Sequence, residues 1–454
     1  MAVYIVGGGF AGCEAAYQLA ARNVRVKLID MKPEKYSPAH VSEKLCELVC
    51  SNSFKSSDVN TASGLLKEEM RVLNSLVLRC ADESTVPAGG ALAVDREIFA
   101  GLVTQWLQNE PQVEILSRTV ESIDEITSLP DAQAVIIATG PLTDEALSND
   151  IKNKLGEDSL SFFDAAAPVV YKESVDFGKA FYASRYGKGD SDYINCPMTE
   201  GEYAAFYNEL INAQCAEVKD FDNDCVYEGC MPVEVMARRG FDTLRYGPMK
   251  PVGITRPGTN ERYYAVVQLR RDDSADTLYN IVGFQTRLKF GEQKRVFGMI
   301  PGLENAEYAR YGVMHKNTYI RSPGLLDETY MLKKSIPGEE GHVPVFFAGQ
   351  ITGVEGYIES ASSGLIAGIN AYCILNGLRP FIPGAGTQVG ALGAYAAGYG
   401  GADFQPMGAN FGIMTPVLPG GSFKIRDKKR KKELISKSAL DILNHIKTDR
   451  SDLF

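Results

Sequence analysis

The sequence is short of several things, and each shortage closes off a class of explanation. It has no Cys-x-x-Cys pair, and its nine cysteines are odd in number and irregularly spaced. That pattern argues against a disulfide framework and for reduced thiols in a cytoplasmic setting. Histidine is scarce: His40, His315, His342 and His445 are scattered, which leaves no spacing suited to a structural zinc ion or other metal. No apolar run approaches the roughly 20 residues that span a bilayer, so no membrane association is expected. The opening Met-Ala-Val-Tyr-Ile-Val lacks the basic start and small-residue cleavage site of a signal peptide, so the chain is expected to be folded from its first residues. An excess of positive charge is missing too. The 454 residues carry a net charge of −10, which excludes indiscriminate adhesion to nucleic acid. Any such contact must come from a local basic surface. One run offers it, namely Lys424, Arg426, Lys428, Lys429, Arg430, Lys431 and Lys432, although a solvated helix start has the same composition.

What is present is a dinucleotide-binding signature. Val3 to Val6 is a short apolar run that ends in Gly7, Gly8 and Gly9. Helix formers follow from Ala15 to Ala21, and Val24 to Ile29 alternates before closing on Asp30. Strand, glycine turn, helix and strand within one short unit is the order such a site requires. Gly7, Gly9 and Gly12 make the Gly-x-Gly-x-x-Gly pattern: a tight turn, a close backbone approach to pyrophosphate, and close packing of helix on strand. The phosphates would then meet N–H groups at the positive helix end. Asp30 is placed to hold a ribose hydroxyl pair, which disfavours a 2′-phosphate there. A glycine loop after the first strand also occurs in methyltransferases that use S-adenosylmethionine, so the pattern alone leaves that reading open.

Two later segments favour FAD. Ile137-Ala-Thr139-Gly140 resembles the Ala-Thr-Gly strand end of flavoproteins of the glutathione-reductase type. Phe347-Ala-Gly349-Gln350, followed by Gly353-Val-Glu355-Gly356, resembles their second flavin segment. Thr139, Gly140, Gly349, Gln350, Glu355 and Gly356 therefore join the expected cofactor contacts. No second strand–glycine–helix unit is found, so a dedicated nicotinamide domain is not expected. The fold class that follows is α/β: a glutathione-reductase-type FAD-binding Rossmann domain with a smaller inserted α+β domain. The length fits two or three domains, or one large domain carrying an insertion. Between about 180 and 312 tyrosine, arginine and short alternating runs dominate, for example Tyr263 to Leu269 and Tyr279 to Phe284. The expected division is 1–180 for the first part of the FAD-binding domain, 181–312 for the insertion, and 313–454 for the second part with a basic tail. Residues 40–75 read as helical or irregular. Val345 to Ala348 reads as a buried strand, Gly356 to Leu375 as a small-residue helix, and the glycine-rich 384–421 as an ordered irregular segment.

Two cysteines stand out. Cys50 lies in Glu47-Leu-Val-Cys50-Ser-Asn-Ser53 and Cys230 in Glu228-Gly-Cys230-Met-Pro232. Small and polar neighbours would let either thiol reach a pocket. Cys13, Cys80, Cys215 and Cys373 read as small buried hydrophobes. Cys46 and Cys50 raise a rival reading, a flavin dithiol oxidoreductase, although their spacing is one residue short of that motif.

Taken with Val86-Pro-Ala-Gly-Gly-Ala-Leu-Ala-Val-Asp-Arg96, Tyr246-Gly-Pro-Met-Lys-Pro-Val-Gly253, Tyr311-Gly-Val-Met-His315 and Gly349-Gln-Ile-Thr-Gly-Val-Glu-Gly356, the chain resembles the folate- and FAD-dependent RNA uracil-5 methyltransferases, the TrmFO family, over nearly its whole length. Asp30 stands where many members carry Glu, and Gly408 where Asn is usual. The resemblance implies methylation of C5 of a uridine in RNA, most often the T-loop uridine of tRNA and in close relatives a ribosomal RNA uridine. It implies methylenetetrahydrofolate as one-carbon donor, FAD as hydride source, and NADH or NADPH as reductant. By the same resemblance Cys230 is the thiolate that adds to uracil C6 and Cys50 the second functional thiol. His315 is then expected to stack on the folate, and Arg238, Arg239 and Lys250 to hold RNA phosphates.

Overall fold

The computed structural model describes residues 1–156, 160–187, 191–216, 231–334, 343–399, 404–417, 425 and 427–454. Its centre is a five-stranded parallel sheet in the order Val345–Phe347, Ala132–Ile137, Ala2–Val6, Val26–Asp30 and Val113–Ser117. Ala2–Val6 is buried at every position, as a strand covered on both faces must be. The helix Phe10–Ala20 follows it directly, and the helix Tyr357–Leu375 packs against that helix. The contact is made by glycine. A Cβ on Gly364 would lie 2.0 Å from the Ala11 carbonyl oxygen, and one on Gly368 would lie 2.9 Å from that of Ala15. By length and apolarity Tyr357–Leu375 could cross a membrane, but 83% of it is buried within the protein.

The second layer of organisation is a six-stranded antiparallel sheet in the order Phe181–Tyr182, Tyr193–Met198, Ala265–Arg271, Leu278–Ile281, Val169–Tyr171 and Tyr308–Arg310. Its own apolar core, including Ile194, Tyr203, Phe206, Val267 and Phe297, is separate from that of the parallel sheet. The helix Glu200–Asn212 covers it, started by a capping box in which Thr199 and Glu202 satisfy one another's backbone N–H groups. Five of these strands fall within 181–312 and the sixth, Val169–Tyr171, precedes it. We propose the insertion on that basis as a unit whose sheet borrows one strand from the chain leading into it. Two further small sheets complete the fold: Leu160–Ala165 with Met314–Tyr319, and Ser53–Ser56 with Ala91–Val94 and Thr85–Val86.

Two expectations need correction. Residues 40–75 contain a strand, Ser53–Ser56, as well as the helix Ala62–Val72. The polar Ser51-Asn52-Ser53 run hid it, because its ladder partner Ala91–Val94 lies about 40 residues away in sequence. The glycine-rich 384–421 segment contains a short helix, Gln388–Ala394. Its glycines serve packing: a Cβ on Gly390 would lie 2.1 Å from the Gly384 carbonyl oxygen.

Candidate active site

Strand ends and helix starts of the parallel sheet converge on one open groove. Its walls include Gly7, Gly9, Asp30, Thr139, Gly140, Gly349 and Gln350. Gly7 sits at φ +109°, and a Cβ there would lie 2.4 Å from the Ala138 carbonyl oxygen. A Cβ on Gly12 would lie 1.9 Å from the Gly7 carbonyl oxygen, so turn and helix touch through bare backbone. Gly9, by contrast, has nothing within 4 Å of its Cβ direction. That open cradle lies at the start of the Phe10–Ala20 helix, which no side chain caps. Asp30 accepts the Gly8 N–H at 2.7 Å and the Lys32 N–H at 2.9 Å. A carboxylate has about four acceptor positions, so capacity remains for a ribose. An open cradle, uncapped helix N–H groups and an acceptor at the second strand end fit the adenosine diphosphate half of FAD.

Gly12, Glu355 and Gly356 lie outside the groove lining and act on those who form it. Glu355 accepts the Gln350 side-chain N–H at 2.6 Å and so orients Gln350. Gly356, at φ +125°, precedes the Tyr357–Leu375 helix. Gly349, at φ +87°, donates its N–H to Ser363 Oγ at 2.6 Å. His40 also lines the groove, held against Ser37 Oγ at 2.6 Å. Burial, with the Lys32 charge beside it, lowers its pKa and favours the neutral ring.

Beside the groove lies the Cys50 loop. The Cys50 N–H donates to the Tyr357 hydroxyl at 2.8 Å, and Tyr357 is itself a wall of the groove, stacked on Phe10 at 4.6 Å. Cys50 is half-buried, and its sulfur faces the Ala165 carbonyl oxygen at 3.8 Å. Two buried guanidinium groups hold this loop. Arg96 donates to the Leu48 carbonyl at 2.7 Å and the Cys50 carbonyl at 2.6 Å, and pairs with Asp272 at 2.8 Å. Arg270 donates to Ser51 Oγ at 2.7 Å and Asn52 Oδ1 at 3.2 Å. Asn52 in turn donates to the carbonyls of Val94 and Arg271, both at 3.0 Å. The thiol loop is therefore fixed at once from the start of the helix Arg96–Asn109 and from the six-stranded sheet. Arg310, half-buried at the end of the Tyr308–Arg310 strand, stands near Arg96, Asp272, Tyr357 and Glu47.

Cys230 lies outside the described residues, as do Lys424 and Arg426. The described chain resumes at Met231. The Val233 N–H bonds to the Gln285 carbonyl at 2.7 Å, the Thr286 N–H reaches that of Ala166 at 3.4 Å, and Ala165 is the residue that Cys50 sulfur faces. His315 pairs through its backbone with Asp164 in the Leu160–Ala165 ladder. Arg238, Arg239 and Lys250 are exposed on the second unit, away from the groove. Lys428 to Lys432 open the helix Lys428–Asp449, capped by Asp427. Cys46 is fully buried, and burial, followed by contact with Cys13, pushes its thiol well above the ordinary range. That is the opposite of what a dithiol redox pair needs. Cys13, Cys80 and Cys373 are buried as expected, while Cys215 is half-buried. Sequence reasoning assigned no role to Arg96, Arg270, Asp272, Arg310 or Tyr357. Arg96 closes one of the segments that carried the resemblance, and Tyr357 follows another directly.

A family model described as glucose inhibited division protein A matches residues 2–379. The chain is 55% identical over 441 residues to a protein of Acetivibrio thermocellus named methylenetetrahydrofolate–tRNA-(uracil-5-)-methyltransferase TrmFO, covering 97% of each chain. It is 50% identical over 444 residues to the protein of that name from Listeria innocua, covering 98% of each. Among solved structures it resembles Aquifex aeolicus GidA, with a TM-score of 0.66 at 15% identity, over 98% of this chain and 73% of that one. At that identity the likeness speaks for the fold alone.

Proposed function

This chain belongs to the TrmFO family, and from that premise we infer that it methylates C5 of a uridine in tRNA, with FAD as cofactor and methylenetetrahydrofolate as carbon donor. The observation that carries the reading is the bond between the Cys50 N–H and the hydroxyl of Tyr357. It fastens a thiol-bearing loop to the rim of a groove built for a dinucleotide. Gly7, Gly9 and Gly12 with the Phe10 helix start would hold the pyrophosphate, Asp30 the ribose, and Thr139, Gly140, Gly349 and Gln350 the flavin end. When bound and reduced, FAD supplies the hydride that takes the transferred carbon from the methylene to the methyl level.

The chain's own groups supply the rest. C5 of uracil is a poor nucleophile. A thiolate that adds to C6 pushes an electron pair towards the ring carbonyl and makes C5 nucleophilic. Once C5 has bonded to the incoming carbon, a base removes the C5 proton and the C6–S bond breaks. We assign the addition to Cys230 and the second thiol, as base or guard of the flavin side, to Cys50. Arg96 and Arg270 fix where Cys50 stands, and His315 is the candidate for stacking on the folate. A uridine inside folded tRNA must first leave its stack, and Arg238, Arg239, Lys250 and Lys428 to Lys432 are the candidates for holding phosphates meanwhile. NADH or NADPH would restore the reduced flavin, and the cytoplasm is where these partners meet.

The test is to incubate the FAD-loaded chain with unmodified tRNA, labelled methylenetetrahydrofolate and NAD(P)H, and to map 5-methyluridine. Label should appear at C5 and should not depend on S-adenosylmethionine. Cys230→Ala and Cys50→Ala should each lower the methylation rate by roughly 10²-fold or more while retaining bound flavin. Normal methylation by Cys230→Ala would remove the nucleophile assignment.

A further inference from the structure

A second recess lies on the six-stranded unit, lined by Ala183, Ser184, Tyr186, Gly187, Ser191, Gly253 and Thr255. Its walls have an unusual construction. Tyr186 stands at φ +59° and ψ +24°, a left-handed conformation that bulky residues seldom adopt. Tyr186 is nevertheless 61% exposed. The strain therefore secures no buried packing for the side chain. It is imposed from outside: the Tyr186 N–H donates to the Gly253 carbonyl at 2.7 Å, and a Cβ on Gly253 would lie 2.5 Å from the Tyr186 ring. The ring thus lies against a glycine that only glycine can be, and turns the rest of its surface outward. Backbone strain kept at an exposed aromatic is a reason to look for a ligand.

The surroundings say which ligand. Arg185 donates to the carbonyls of Lys250 at 2.9 Å and Val252 at 2.5 Å, which holds the 250–252 loop beside the ring with Lys250 exposed. The nearby carboxylate, Asp192, is engaged by the Gly89 N–H at 2.7 Å. The recess is also linked to the thiol loop across the sheet. The Ala183 N–H bonds to the Tyr193 carbonyl, Tyr193 pairs across the sheet with Arg270, and Arg270 holds Ser51, the neighbour of Cys50. An open aromatic face beside a cation, two strands away from the reacting loop, suits an unpaired nucleobase with its phosphate.

We propose that Tyr186 is a stacking platform for an unpaired base of the tRNA substrate near the target uridine, with Lys250 on the adjoining phosphate. The proposal rests on the tRNA reading above, and the experiment separates the two. Binding of a fluorescently labelled, unmodified tRNA transcript to the FAD-loaded chain is measured by anisotropy. Tyr186→Ala should raise Kd roughly tenfold, the scale of one lost base–aromatic stack, while Tyr186→Phe should bind as the parent does. The control is Tyr171→Ala, an exposed tyrosine at the end of the Val169–Tyr171 strand, which should leave Kd unchanged. Tyr186→Gly gives the sharpest outcome. It relieves the left-handed strain, so the melting temperature should hold or rise while tRNA affinity falls as in the alanine variant. A structural role for Tyr186 would move both quantities downward together, and would overturn the proposal. So would parent-like Kd in Tyr186→Ala, or an equal loss in Tyr186→Phe. Failure of the parent protein to bind tRNA at all would instead remove the functional reading on which this one stands.

Discussion

The two halves of this molecule make their decisive contacts with different materials. In the parallel-sheet half they are backbone contacts. Gly12 touches the Gly7 carbonyl, Gly364 touches that of Ala11, and Gly9 leaves an empty cradle. In the six-stranded half they are long side chains. Arg270 and Asp272 reach from that sheet to the Cys50 loop and to Arg96, and Tyr186 lies over Gly253. A contact made of backbone tolerates one residue type, so it writes itself into the sequence as glycine at fixed spacing. A contact made by a guanidinium leaves an arginine that resembles every surface arginine until the fold is known.

The largest effect should come from breaking the backbone half. Gly12→Ala puts a methyl group 1.9 Å from a carbonyl oxygen that no side-chain movement can displace. The turn must open. We expect loss of bound flavin and destabilisation of roughly 3–5 kcal/mol, read from the flavin absorbance ratio and thermal unfolding. Gly9→Ala sharpens the point. Its methyl group meets nothing in the protein, so stability should hold while flavin affinity falls, because the space it fills belongs to the ligand. Equal destabilisation by both substitutions would mean that the two glycines do the same work.

The side-chain half breaks at Asp272. Asp272→Ala strands Arg96, a buried cation that keeps its two carbonyl acceptors but loses its countercharge. Removing one member of a buried pair costs about 3–5 kcal/mol, and the surviving carbonyl bonds place this case near about 3 kcal/mol. The loop should loosen with it. Alkylation of Cys50 should quicken several-fold, while flavin stays bound, because no groove-lining residue is altered. Unchanged alkylation would show that the Cys50 loop is held by Arg270 and Tyr357 without help from Arg96.

The same contrast decides what was legible beforehand. The strand–turn–helix–strand unit, Asp30, and the two later segments that line the groove were readable because each is local and glycine-marked. The Ser53–Ser56 strand was not, since its ladder partner lies far along the chain. Nor was the Arg96–Asp272 pair, whose members stand 176 residues apart. Tyr357 was missed for a different reason: one tyrosine after a glycine-rich turn carries no signal until Phe10 and Cys50 are brought against it. The thiol loop was recognised by its composition, whereas the groups that hold it were not.

The smallest effect tests whether side chains matter to the cofactor in the backbone-built half. Glu359 is buried in the first turn of the long helix, 2.8 Å from Lys55 Nζ. Burial works against its charge, yet the Lys55 ammonium and the Ala409 N–H together hold its pKa below the ordinary carboxylate value of 4.5. A depressed carboxylate pKa contributes stability that is present above the unfolded value and is lost as pH falls through the folded one. Lys55 is half exposed and its charge is screened by solvent. Lys55→Met should therefore cost only about 1–2 kcal/mol at pH 7, and the gap to the parent should close as pH drops below 4.5 and the carboxyl takes up its proton. Flavin occupancy should not change, since the groove beside this pair is shaped by Gly349, Gly356 and the sheet. Thermal unfolding across that pH range, read alongside flavin absorbance, separates the two quantities. A loss of flavin that tracked the loss of stability would show that the cofactor site depends on an ion pair at its edge, and the division between a backbone-built half and a side-chain-built half would have to be redrawn.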